Sequence, residues 1–285
     1  MLIVHDPRCA EFGSAHRPER PTRVTATSAL LLARHPEWRW AAPGEVSDDV
    51  LLLAHTRAHL DRLGQPLDFD EDTPYFDGIV DHARRSVAAA MIAMQAALRG
   101  GEKSFSLMRP PGHHATAGQA MGFCYLNQAA VAAFAARALG AERVAVWDFD
   151  AHHGNGTEAI LDGRPGFLFC SVHQFPGYPG TGTRNTDNCR NWVVGPHGPR
   201  ERHLHALQDS WRQIVAFNPD LVVLSAGFDG YVHDPVASLS LEIEDFATLG
   251  SWVRDSAIPA TGLLEGGYSD DLPLLVDAFL GAWAG

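Results

Sequence analysis

The run Trp147-Asp148-Phe149-Asp150-Ala151-His152-His153-Gly154-Asn155-Gly156 follows without a break on the apolar stretch 143–147. A short run of β-branched and aromatic residues reads as a buried strand, and this one leads straight into two carboxylates and two imidazoles. Side chains two apart on an extended chain share a face, so Asp150 and His152 can reach one ion. Oxygen plus imidazole is a donor set that zinc accepts, and a third protein donor would leave positions for water and substrate. The pattern predicts a zinc hydrolase.

Comparable strand-like runs occur at 2–4, 104–108, 143–149, 167–172, 221–225 and 259–264. Helical patterns lie between them at 22–34, 81–98, 126–139, 202–216, 243–255 and 272–283, several stopped by glycine, as at Gly100 and Gly140. Strand alternating with helix predicts an α/β fold with a mainly parallel sheet covered on both faces. No repeat, low-complexity tract or linker interrupts the pattern, so residues 1–285 read as a single domain. In such sheets the site lies in the loops after the carboxyl ends of the strands. The polar clusters occupy those loops: Arg109-Pro110-Pro111-Gly112-His113-His114, Asp148 to Asn155, Ser171-Val172-His173, Ala226-Gly227-Phe228-Asp229 and Glu265-Gly266-Gly267-Tyr268.

Composition narrows the class. With 285 residues, 46% of them hydrophobic, the chain has ample material for a packed core. The formal charge of -12 argues against nucleic acid as a ligand, because phosphate backbones need a basic face, and it favours a cationic substrate. No apolar run reaches the roughly 20 residues of a membrane helix, and residues 1–7 lack a basic region followed by an apolar one. The expectation is a soluble, cytoplasmic protein without a membrane partner. The four cysteines, Cys9, Cys124, Cys170 and Cys189, form no CxxC pair and read as reduced thiols.

Asp229 is the natural third metal donor. It follows the apolar run 221–225, and Gly227 lets the chain turn its carboxylate toward the rim. A metal held by Asp150, His152 and Asp229 would lower the pKa of a water and polarise a carbonyl. His113 and His114, after a rigid Pro-Pro-Gly loop, are candidates for acid and base, since imidazole titrates near neutrality. Asp148 and Asn155 flank the metal residues and could orient the two rings. Tyr268, after two glycines on a mobile or closely approached loop, could donate to an oxyanion. Phe123, beside Gly122, and Tyr178 either wall a narrow slot or fill a gap in the core.

These pieces together resemble the zinc-dependent histone deacetylase family in the broad sense that includes acetylpolyamine amidohydrolases and bacterial deacetylase-like enzymes. The resemblance also takes in His16-Arg17-Pro18-Glu19-Arg20-Pro21, Asp70-Glu71-Asp72-Thr73, Gly122-Phe123-Cys124-Tyr125-Leu126-Asn127, Pro179-Gly180-Thr181-Gly182 and Asp234-Pro235. It implies a three-layer arginase/deacetylase fold with an eight-stranded, mainly parallel sheet between helices. It implies catalytic zinc on Asp150, His152 and Asp229, His113 and His114 as acid/base pair, and Tyr268 as oxyanion donor. Gly122, Phe123 and Tyr178 would line an acyl-lysine tunnel, with Asp72 holding the substrate at its mouth. A structural potassium is further implied on the Asp148 side chain and the backbone of Asp150 and His152, with Ser171 and Val172 following.

Departures from the pattern carry information. Asn155 stands where class I relatives have aspartate, so the partner of His114 is neutral and His114 should be less basic than His113. Val236 stands where one polyamine-selective branch carries a glutamate gatekeeper, which weakens the polyamine reading. The function implied is hydrolysis of an ε-acylated lysine in a protein or peptide. The alternatives are an acetylpolyamine or other small-molecule amidohydrolase and, from another class, a silent acyl-lysine binding module. Arginase-like chemistry would need two bridged manganese ions, and this chain supplies donors for one. Residue types leave open the acyl-chain preference, the oligomeric state and whether iron replaces zinc.

Overall fold

The computed structural model describes residues 1–285 and contains one eight-stranded sheet. Its strands are β1 (Leu2–Val4), β2 (Arg39–Ala41), β3 (Ser104–Ser106), β4 (Val144–Asp148), β5 (Phe167–Gln174), β6 (Cys189–Val194), β7 (Leu221–Ala226) and β8 (Ala260–Leu264). They lie in the order β2-β1-β3-β8-β7-β4-β5-β6, and every pairing is parallel. The helices are α1 (Thr22–Arg34), α2 (Asp48–Leu51), α3 (Arg57–Leu63), α4 (Ile79–Gly100), α5 (Gln128–Ala138), α6 (Asn155–Leu161), α7 (Arg200–Phe217), α8 (Ile243–Ser256) and α9 (Leu272–Ala284). None is long and apolar enough to cross a membrane.

The central strands show why the sheet needs cover on both sides. In β4, Ala145 and Trp147 face a core shared with α1, α7, α8 and α9, while Val144 and Val146 face a second core shared with α4 and α5. In β7 the same alternation sends Val222 and Leu224 one way and Leu221 and Val223 the other. A strand apolar on both faces is stable only between two helical layers.

The expected central strands are present with shifted ends; β5 runs two residues further than expected, to Gln174. The two edge strands β2 and β6 were not expected from the local pattern. Three half-exposed residues, Arg39–Ala41, carry too little signal, and Arg190 and Asn191 break the apolar run of β6. The short helices α2, α3 and α6 likewise span too few turns to show a period. Gly100 is the last helical residue of α4, and the left-handed cap falls to Gly101.

The amino-terminal segment is locked to the carboxyl-terminal rim by buried charge. The guanidinium of Arg109, fully buried, donates to both Glu19 carboxylate oxygens at 2.5 and 2.6 Å and to the Cys9 carbonyl at 2.8 Å. Arg23, also buried, donates to Glu19 at 3.1 Å, to the Gly267 carbonyl at 2.7 Å and to the Glu265 carbonyl. Burial works against an ionised Glu19, but its two arginines outweigh that and hold its pKa below the usual range.

Helices α8 and α9 approach at backbone level. A Cβ on Gly250 would run into the carbonyl of Phe279 and lie 3.1 Å from the Trp283 nitrogen. Helix propensity alone would favour Gly250→Ala by about 1 kcal/mol. Backbone cannot rotate aside, so the overlap costs about 1–3 kcal/mol or more, and the expected net result is a melting temperature lower by a few degrees. Gly281→Ala, where the new methyl meets only His35 Cε1 at 3.9 Å, is expected to melt no lower than the parent. Equal melting of the two variants would contradict this account of the helix pair.

Candidate active site

The carboxyl ends of β3, β8, β7, β4 and β5 are consecutive in the sheet, so the loops after them meet at one rim. Asp148 ends β4, and the next four residues carry the chain over the strand end through Asp150 to His152. Asp229 comes from the loop after the neighbouring β7. One donor atom each from Asp150, His152 and Asp229 lie within 4.8 Å of one another, and all three residues are buried. His152 Nδ1 is 3.2 Å from Asp150 Oδ1 and 2.9 Å from Asp229 Oδ2.

The backbone fixes these side chains. Asp150 accepts from the N–H of His152 at 2.9 Å and of Gly266 at 2.7 Å, and Asp229 accepts from Ala151 N–H at 2.8 Å. Gly227 was expected to serve a turn. Its φ is unexceptional, and what requires glycine is proximity, since a Cβ there would collide with the Asp150 carboxylate.

Electrostatics supports a cation in this triad. Burial, reinforced by the Asp150 charge, pushes Asp229 up to about 7. Asp150, against the pull of its own burial, is held ionised by His113 and His152. Two buried carboxylates this close repel unless a positive charge lies between them. Oxygen, oxygen and imidazole nitrogen are the donors a zinc ion takes, with room left for a further ligand. A second group with donor atoms equally close, His113, Cys124 and Glu265, is a packing cluster. Both Glu265 oxygens are engaged, one by the N–H groups of Gly112 (2.7 Å) and His113 (3.2 Å), the other by Ser225 Oγ (2.9 Å). Burial holds the Cys124 thiol well above its usual range, hence protonated.

The tandem histidines stand in contrasting environments. His113 Nδ1 is 3.1 Å from Asp148 Oδ2, and His114 Nδ1 is 2.8 Å from Asn155 Oδ1. An amide oxygen only accepts, so His114 carries its proton on Nδ1 and leaves Nε2 unprotonated. Burial opposes a charge on both rings. Asp150 and Asp148 overcome it at His113, whose pKa is raised to about 10, whereas at His114 the neighbouring His113 and His152 add to burial and depress it well below the usual value.

Tyr268 is buried with its ring 4.8 Å from the Arg23 guanidinium and edge-on to Phe123. Its backbone N–H donates to Asp234 at 2.7 Å, and no protein group accepts from its hydroxyl. Burial holds its pKa well up, so the phenol keeps its proton. The loop that bears it is closely approached, being pinned by Arg23 and Asp234.

Above these groups opens a cavity of about 260 Å³ lined by His114, His152, Tyr268, Gly122, Phe123 and Tyr178, with Asp72, Arg17, Pro18, Gln174 and Val236. Phe123 adopts the left-handed φ of 67°, its N–H held by Thr73 Oγ1 at 3.0 Å, and Tyr178 stands edge-on to His114 with ring centroids 5.0 Å apart. Ser171 is the register partner of Asp148 on β5, with Val172 next to it. A larger groove of about 500 Å³ between Arg8 and Arg84 lies elsewhere and holds no comparable chemistry, Arg8 and Arg84 being paired with Asp6 and Asp48 and Arg85 lying 3.0 Å from His82 Nδ1.

Glu265, Arg23 and Gln174 were given no individual role in the sequence reading. Glu265 braces the histidine loop, Arg23 braces the tyrosine loop, and Gln174 accepts from Ser238 N–H at 2.7 Å across the cavity mouth. An acid at the end of an apolar strand was the available signal for Glu265. The local pattern offered only its i,i+4 spacing from Glu19, because the loop carbonyls it braces lie more than 240 residues away.

Residues 17–280 match the histone deacetylase domain. The chain is 36% identical to a histone deacetylase-like amidohydrolase of Pseudomonas aeruginosa, over 92% of this chain and 74% of that protein. It is 38% identical to an acetylpolyamine amidohydrolase of Burkholderia pseudomallei, over 90% of this chain and 79% of that protein. The crystal structure of the HDA15 HD domain superposes with a TM-score of 0.92 at 30% identity, covering 100% of this chain and 91% of that one. An all-parallel eight-stranded sheet between helices, shared with such structures, is the arginase/deacetylase fold. With the domain match spanning nearly the whole sequence and the relatives aligned over most of their length, the chain belongs to the histone deacetylase family.

Proposed function

We propose that this amide hydrolase removes an acyl group from the ε-amine of lysine, using a zinc ion held by Asp150, His152 and Asp229. The observation that carries the reading is convergence: the triad through His152, the free Nε2 of His114 and the unpartnered hydroxyl of Tyr268 all border one cavity. A zinc ion bound there would supply Lewis-acid polarisation of the acyl carbonyl and acidify a water.

The chain's own groups would do the rest. Neutral His114 takes the proton of the attacking water at Nε2 and delivers it to the departing amine nitrogen. His113, held charged by Asp148, contributes positive charge beside the reacting centre, and Asn155 fixes the ring of His114. The protonated phenol of Tyr268 donates to the oxygen of the tetrahedral centre. Gly122, Phe123 and Tyr178 flank the aliphatic stem, and Asp72 accepts from the substrate at the mouth. A structural potassium would draw on the Asp148 side chain, the backbone of Asp150 and His152, Ser171 and Val172; the register that pairs Asp148 with Ser171 supports its strand-end part.

A second reading, hydrolysis of acetylpolyamines, is favoured by the relatives that bear that name. Against it, Val236 puts an apolar side chain at the mouth, where Asp72 is the one lining carboxylate.

Side-by-side initial rates on an acetyl-lysine peptide and an N-acetylated polyamine discriminate the two, with faster peptide turnover expected. His114→Ala and Tyr268→Phe are each expected to lower kcat by about 10²–10³-fold with unchanged metal content; parental rates in either variant would remove that residue from the mechanism. Dialysis against a chelator is expected to abolish turnover and lower the melting temperature, and stoichiometric zinc should restore both. Full activity in metal-free protein would overturn the zinc assignment.

A further inference from the structure

The mouth of the cavity carries two charges that the chain leaves uncompensated. Asp72 forms no ion pair, and its own N–H is satisfied by Asp70 at 3.0 Å. Arg17, next to it on the rim, is half-buried, and the one hydrogen bond of its side chain is to the Glu71 backbone carbonyl, at 3.2 Å. No carboxylate lies within ion-pair distance of that guanidinium, although the protein as a whole carries a net charge of -12. Imidazoles aside, Arg17 and Asp72 are the only ionisable groups of opposite charge lining the cavity, and the rest of the mouth is Pro18, Gln174 and Val236.

The bond to Glu71 sets the position of Arg17. It ties the amino-terminal loop to the loop carrying Asp72, so the two charges stand on adjoining segments of one rim. A planar guanidinium with donors to spare suits a carboxylate, which it can grip through two parallel bonds. It repels a second ammonium. A polyamine, drawn in by the overall negative charge, would meet one acid and one cation there. An acylated α-amino acid would meet a partner for each of its charges and, being zwitterionic, would not be repelled by the rest of the surface.

We propose that Arg17 is a specificity-determining residue that binds a carboxylate, and that the favoured substrates are small Nε-acylated diamino acids of lysine length with a free α-carboxylate. Asp72 takes the α-ammonium, and the acyl end reaches His114, His152 and Tyr268. This rests on the amide-hydrolase reading and adds the chemistry of the far end of the substrate.

Three compounds isolate that contribution on the zinc-loaded protein: Nε-acetyl-lysine, its α-carboxamide, and N-acetylcadaverine, which is the same molecule without the carboxylate. The acid is expected to exceed the carboxamide in kcat/KM by roughly tenfold, the scale of one well-placed charge-assisted contact. In Arg17→Gln that preference should collapse through a raised KM with kcat little changed, and Arg17→Lys should recover part of it. Arg17 lies at the surface end of the cavity, so a melting curve like the parent's is expected for both variants.

Equal turnover of acid and carboxamide by the parent, or a preference that survives Arg17→Gln, would overturn the carboxylate site. Fastest turnover of N-acetylcadaverine would overturn it in favour of amine substrates. Hydrolysis of an acetyl-lysine peptide with silence on all three small molecules would overturn it while leaving the hydrolase reading intact. Silence on the peptide as well would overturn the hydrolase reading itself.

Discussion

Four carboxylates, Asp148, Asp150, Asp229 and Glu265, are fully buried at the ends of three adjacent strands, and the architecture of the rim is organised around that concentration of negative charge. Burial pushes Asp229 and Glu265 each up to about 7. Each oxygen that can be reached is given a donor: backbone N–H groups at Asp150, Asp229 and Glu265, an imidazole at Asp148. What the donors leave uncompensated lies between Asp150 and Asp229, which is where the proposed zinc would add most to stability. A metal held there would serve the fold at this point as much as the chemistry.

The same charge cluster separates the two histidines. They are adjacent in sequence, with ring centroids 4.0 Å apart, yet one faces a carboxylate and the other an amide. A protonated ring beside a neutral one is a stable division because two charged rings at that distance would repel. On the proposed mechanism it would give the neutral, cavity-facing ring the proton traffic and the charged one an electrostatic task.

How much of this was legible depended on the range of the interactions involved. The central strands, the rim and the grouping of Asp150, His152 and Asp229 could be read locally, because an apolar strand runs straight into Asp150 and His152 and the α/β alternation puts Asp229 on the same edge. Residues 190 and 191 hid the edge strand β6, whose pairing comes from its neighbour more than from its own side chains. The purpose of Gly227 was misread for a related reason: contact with Asp150 is a property of two loops, and no single loop displays it. The bracing roles of Arg23 and Gln174 were missed because the loops they hold lie far along the chain. The resemblance, in turn, brought family roles onto matching positions but gave none to Arg17, whose proposed significance depends on its having no carboxylate within ion-pair distance.

The buried pairing of Arg109 with Glu19, and of Arg23 with the carbonyls of the tyrosine loop, joins segments about 90 and 240 residues apart. Contacts of such sequence separation cost the most loop entropy and form late in folding. The elements after α1 can therefore condense first, leaving the tyrosine loop unsupported until α1 and the segment before it dock. A molecule caught before that step would have most of its core and no competent catalytic wall, so recovery of activity on refolding should lag behind recovery of helical signal.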